Sequence, residues 1–103
     1  MPKLFQYLGI AVFFYSNEHD PIHVHGRKDG RESKIEITFK KGVATLRLRS
    51  VPGRQPLEGT ELKDLETLVR AKADRIADRW TAFYIRKERI TPETITRRLR
   101  KPR

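Results

Sequence analysis

Ile22-His23-Val24-His25-Gly26-Arg27-Lys28-Asp29-Gly30-Arg31-Glu32-Ser33-Lys34-Ile35-Glu36-Ile37-Thr38-Phe39-Lys40-Lys41-Gly42-Val43-Ala44-Thr45-Leu46-Arg47-Leu48-Arg49 is the stretch from which the fold can be read. Apolar and polar residues alternate through it, the period of strands with one buried face. Ile22 and Val24 fall on one side, and His23, His25 and Arg27 on the other. Asp29-Gly30 is a strong hairpin signal, because both central residues of a type I′ turn need positive φ. Lys41-Gly42 is a second turn of the same kind.

The register follows from those turns. A two-residue loop at Asp29-Gly30 sets Val24 opposite Ile35, His25 opposite Lys34, His23 opposite Glu36 and Arg27 opposite Glu32. A second at Lys41-Gly42 sets Ile35 opposite Leu48, Ile37 opposite Leu46, Glu36 opposite Arg47 and Lys34 opposite Arg49. Apolar meets apolar each time, and a slip of one residue would destroy the match. Residues 9–15, rich in aromatic and β-branched side chains, read as a further, buried strand.

Downstream, Val51-Pro52-Gly53-Arg54-Gln55-Pro56 ends the sheet, since proline cannot donate to a ladder. Thr60 suits an N-cap, and Leu62, Leu65, Val69, Ile76, Trp80 and Phe83 form an apolar stripe at helical spacing. Thr91-Pro92-Glu93 suits the start of a short helix, with Pro92 at its first position and Ile90 and Ile95 as a staple across the cap. The expected fold is α+β: an antiparallel β-meander of about four strands, covered on one face by a long α-helix, with a short C-terminal helix. One domain spans residues 1–103, with the sheet in 4–51, the main helix in 60–86 and the last helix, with a basic tail, in 91–100.

Composition narrows the functional classes. The formal net charge of +10 points to a polyanion, RNA or DNA, or to an acidic protein partner. There is no cysteine, which removes disulfides, thiolate metal sites and a cysteine nucleophile. No run approaches the roughly 20 apolar residues of a membrane-spanning helix, and the first residues lack the order of a secretion signal. A cytoplasmic protein without a membrane partner is the expectation. The strand edge within residues 4–15 offers a route to a homodimer.

All three histidines lie in Glu18-His19-Asp20-Pro21-Ile22-His23-Val24-His25. With the helix on the apolar face, the register leaves His23, Glu36 and Arg47 in one row of the open face and His25, Lys34 and Arg49 in the next. An imidazole, a carboxylate and a guanidinium together can move a proton and stabilise a phosphate anion, as metal-independent RNA cleavage requires. His23, His25, Glu36 and Arg47 are thus the candidate catalytic set, and Arg27, Lys34, Arg47 and Arg49 the candidate nucleic-acid contacts. Two other readings use the same residues. In one, Glu36 and Arg47 are an ordinary cross-strand ion pair on a solvated face. In the other, His19, His23 and His25 hold zinc, although strand spacing keeps His23 and His25 roughly 7 Å apart at their backbones.

The opening Met1-Pro2-Lys3-Leu4-Phe5, the strand Phe13-Phe14-Tyr15-Ser16-Asn17, the histidine segment, Leu62-Lys63-Asp64 and Trp80 together resemble the bacterial family catalogued as domain of unknown function 4160. The resemblance implies a small sheet-plus-helix protein, often encoded beside a second small gene. Some members are labelled toxin-antitoxin components on the strength of gene neighbourhood. It carries over only the positions of His19, His23 and His25. The leading expectation is a small basic nucleic-acid-interacting protein of a toxin-antitoxin-like pair, with metal-independent RNA cleavage, without a cofactor, as its enzymatic form. A non-enzymatic module for an acidic protein or DNA is the alternative, and a zinc-binding protein a further one.

Overall fold

The computed structural model describes residues 3–15 and 22–100. Its strands are β1 (Lys3–Tyr7), β2 (Ile10–Phe13), β3 (His23–Lys28), β4 (Arg31–Lys40), β5 (Val43–Ser50) and β6 (Glu93–Ile95). Two helices, α1 (Gly59–Ala71) and α2 (Ala73–Tyr84), lie between β5 and β6 in the chain. All six strands form one sheet in the order β5-β4-β3-β2-β1-β6.

The two central hairpins pair as their turn chemistry requires. Asp29 and Gly30 have φ of 52° and 78°, and Lys41 and Gly42 have 53° and 79°. Val24 pairs with Ile35, His25 with Lys34, His23 with Glu36 and Arg27 with Glu32. Ile35 pairs with Leu48, Ile37 with Leu46, Glu36 with Arg47 and Lys34 with Arg49. A third turn of this kind, Leu8-Gly9 with φ of 49° and 83°, joins β1 to β2. The aromatic segment is therefore the second arm of a hairpin, and the meander has five strands rather than four.

Both helices cover the face that carries Val24, Ile35 and Ile37. A Cβ placed on Gly26 of β3 would meet Leu65 of α1, so the bare glycine lets the helix settle directly on the strand. At the other end, Phe14 touches Phe83 and Tyr84 of α2, and the Tyr84 hydroxyl donates to the Tyr15 carbonyl. Leu4, Phe5, Tyr7, Leu65, Leu68 and Ile76 are fully buried in the core between these layers.

Four expectations are corrected here. The long helix over 60–86 is broken at Lys72, whose φ of −113° and ψ of 18° leave the helical range. No proline or glycine sits there; the break lets α1 rest on β3 while α2 turns its aromatic residues onto Phe14. The cap is also shifted, since the N-cap is Glu58, without a side-chain cap bond, and not Thr60.

The C-terminal helix over 91–100 is replaced by strand β6. Thr91, Thr94, Ile95 and Thr96 favour extended backbone, and the outer edge of β1 supplies the ladder. Phe5 pairs with Glu93 and Tyr7 with Ile95 in parallel register. Glu93 accepts from Arg75 and Arg79 of α2, the backbone N–H of Leu99 donates to the Tyr7 hydroxyl at 2.9 Å, and Arg98 bonds Asp64. The edge proposed for homodimer pairing within residues 4–15 is thereby occupied: β6 covers β1, and β2 lies inside the sheet.

Candidate functional site

β3 turns His23, His25 and Arg27 to the face away from the helices, as the alternation requires. That face is not open at β3. His23 and His25 are 1% and 2% exposed, which corrects the expectation of solvated imidazoles. Aromatic neighbours explain the burial. The Phe13 ring stacks on His25 at 5.6 Å between centroids, Tyr15 meets it edge-on at 4.4 Å, and His23 lies 5.3 Å away.

At the centre of the cluster is Glu32, fully buried on β4. His25 Nδ1 is 3.0 Å from Glu32 Oε2. Arg27 Nε donates to Oε1 at 2.9 Å, and the Tyr15 hydroxyl donates to Oε2 at 3.0 Å. Arg27 also donates to the Tyr15 oxygen at 3.1 Å, closing a ring of contacts, and lies over the Phe13 ring. Arg54, from the loop after β5, approaches Oε1 at 3.8 Å. The loop is tied down because Glu32 donates its backbone N–H to the Gln55 carbonyl, and the Leu57 N–H is donated to Ser33 Oγ.

Burial alone would push the Glu32 carboxyl up. The hydrogen bonds from Arg27 and Tyr15, with the charges of Arg27 and His25, outweigh it and hold the group below its ordinary range. Burial first, then the neighbouring Glu32, pushes the Tyr15 phenol up. An ionised carboxylate only accepts, so the proton of this contact sits on His25 Nδ1. A carboxylate-oriented imidazole is the arrangement of a proton-transfer group.

The predicted residues therefore divide. His25 and Arg27 gather around a carboxylate, but it is Glu32, not Glu36, and His23 joins them through the His25 ring. Glu36 instead accepts from Arg49 Nε at 3.3 Å. Arg47 is exposed and makes no ion pair among the described residues. Lys34 is half-buried, and Arg49, like Arg47, is exposed on the strand beyond it. His19 lies outside the described residues, so the three-histidine zinc set is not seen as a whole. Among the described residues no group of three His, Asp or Glu side chains is placed to hold a metal ion.

Glu32, Tyr15 and Phe13 escaped the sequence reading. The signal for Glu32 was present, because Arg27 faces it and His25 is its diagonal neighbour, a distance long side chains span. Tyr15 had no comparable signal; it reaches the site because β2 pairs Phe13 with His25.

The family model for DUF4160, domain of unknown function, matches residues 9–81, more than two thirds of the chain. The chain belongs to the DUF4160 family. The match takes in the whole histidine segment, Glu32, α1 and most of α2, so the buried cluster lies within the DUF4160 region. The Met1–Phe5 opening and β6 fall outside it. Comparison with curated proteins and with solved structures gives no match.

Proposed function

We propose that this DUF4160 protein is a small basic nucleic-acid-binding protein. The observation that supports this reading is the charge of the helix-free sheet face beyond the histidines. Among the described residues, Arg27, Lys34, Lys40, Arg47 and Arg49 share that face with two carboxylates, Glu32 and Glu36, and Glu32 is buried beneath its own partners. Lys40, Arg47 and Arg49 are exposed along one rim, where they can meet successive phosphates. Membership of a toxin-antitoxin-like pair is part of the same proposal and rests on the family resemblance.

Titration of fluorescent RNA and DNA oligonucleotides tests the reading. Affinity should fall linearly on a log–log scale with rising salt. The double variant R47E/R49E should weaken binding of every sequence about tenfold or more at low salt. Salt-independent binding, or full affinity in the double variant, refutes it.

The His25–Glu32 contact supports a second reading, metal-independent RNA cleavage. His25 Nε2 would take the proton of a ribose 2′-hydroxyl as that oxygen attacks phosphorus. The 5′-oxygen would leave with a proton returned by an acid, giving a 2′,3′-cyclic phosphate. The ring is 2% exposed, so a ribose must displace its cover to reach it. RNA incubated with the protein in chelator should then be cut, with loss of cutting in H25A. Cutting that survives both H23A and H25A removes the assignment, and intact RNA in the bound complex leaves the non-enzymatic module.

A further inference from the structure

β5 is the longer of the two edge strands of the sheet. It pairs with β4 on one side, and no strand of the described residues flanks the other. The opposite edge is β6, a strand of only three residues, Glu93–Ile95, against the eight of β5. Lys40 and Val43 close the two-residue Lys41-Gly42 turn, so they form a hydrogen-bonded pair. The alternation then points the backbone N–H and C=O groups of Ala44, Leu46, Leu48 and Ser50 outward from the sheet. That is a row of ready-made strand-pairing groups.

The side chains beside this row differ on the two faces. On the helix side, the cover stops short of the edge. Leu48 is 47% exposed, and Leu46 and Leu48 with Ile35 floor a groove rimmed by Glu66 and Arg70 of α1. On the other side stand the exposed Arg47 and Arg49. An added strand would thus lie with one side over leucines and the other beside two guanidinium groups.

We infer that β5 docks an extended segment of an acidic protein partner, added antiparallel or parallel to its edge, with acidic and apolar residues alternating. Charge favours this occupant over a second copy of the chain. Antiparallel self-pairing over most of β5 sets Arg47 either directly opposite or diagonal to an arginine of the other copy, and like charges so placed repel. Acidic side chains at alternate positions neutralise Arg47 and Arg49 while their apolar neighbours cover Leu46 and Leu48. The strand site stands independently of nucleic-acid binding, although the two share Arg47 and Arg49.

The test uses the full chain and three synthetic ten-residue probes, read by isothermal titration at low salt. The first alternates glutamate with valine; the second is the same peptide N-methylated at alternate residues, in two versions to cover both edges; the third has lysine for glutamate. The glutamate peptide should bind, and methylation of the edge that faces β5 should abolish binding, because the ladder needs those N–H groups. The lysine peptide should bind about tenfold more weakly or worse, as expected for two exposed ion pairs lost and two repulsions gained. R47E/R49E should reverse that preference, and circular dichroism of the double variant reports that it is folded.

Failure of the glutamate peptide to bind overturns the inference, as does equal binding of both methylated versions. A concentration-dependent dimer in solution that R47E/R49E tightens would identify the occupant as a second copy and overturn it too. RNA binding lost in the same double variant while no peptide binds would leave the nucleic-acid reading intact and remove this one.

Discussion

Replacing Glu32 with alanine is expected to destabilise the protein by about 3 kcal/mol, the scale for breaking a buried charge pair by removing one partner. The carboxylate is fully buried and receives Arg27, Tyr15 and His25 together. Its removal takes away the acceptor of the Tyr15 hydroxyl and of His25 Nδ1. Arg27 is 32% exposed and can turn to water, which keeps the loss at the low end of the range for such pairs. Urea unfolding of wild type and E32A checks it: a shift in midpoint without a change in slope gives the loss directly.

The same group imposes a pH dependence of known sign. The folded carboxyl is held below its unfolded value, so its contribution is complete above the unfolded value and is lost as pH falls through the folded one. Wild-type stability should therefore drop in acid, and E32Q, with nothing to titrate at this position, should drop less. Parallel acid profiles for wild type and E32Q would show that Glu32 is not held ionised by its partners.

The second large effect concerns the seat of the helix. In G26A the new Cβ would lie 2.7 Å from both δ-carbons of Leu65. Leu65 is fully buried, so it cannot swing into solvent, and overpacking of this kind costs about 1–3 kcal/mol. L65A alone should cost about 2–5 kcal/mol through the cavity it leaves. The double variant should lose clearly less than the sum, because the alanine Cβ at position 26 enters the space the leucine vacates. Additive losses in denaturant unfolding would mean that α1 does not rest on β3 at Gly26.

The way these two predictions arise shows which parts of the molecule were readable in advance. Glu32 was one diagonal step from being found, since the register already set it opposite Arg27 and beside His25. What hid it was the assumption that polar residues on the outward face meet water. Two aromatic rings, Phe13 and Tyr15, turn that part of the face into a small second core. Burial then makes the nearest carboxylate the partner of Arg27, Tyr15 and His25, and Glu36 is left to Arg49. Gly26 carried no signal at all, because a glycine in an alternating strand reads the same whether it faces water or a helix.

The histidine segment itself has been divided by the structure. His23 and His25 belong to a carboxylate-centred cluster, and the cations that could meet a polyanion lie on β4 and β5 instead. The proposed binding and the proposed proton transfer thus fall on neighbouring, separate parts of one sheet face. H25A and R47E/R49E interrogate them independently.

From its residues alone this chain specifies the β3-β4-β5 meander to the residue, because turn chemistry and a period of two are local and leave one register that keeps apolar side chains together. It also specifies its charge and the outward face of the histidines. The parallel closure of β1 by β6, the break at Lys72 and the burial of His23, His25 and Glu32 came from contacts between segments far apart in the chain. Such contacts depend on which edge is left unpaired and which rings are brought alongside, and neither is a property of any short stretch of sequence.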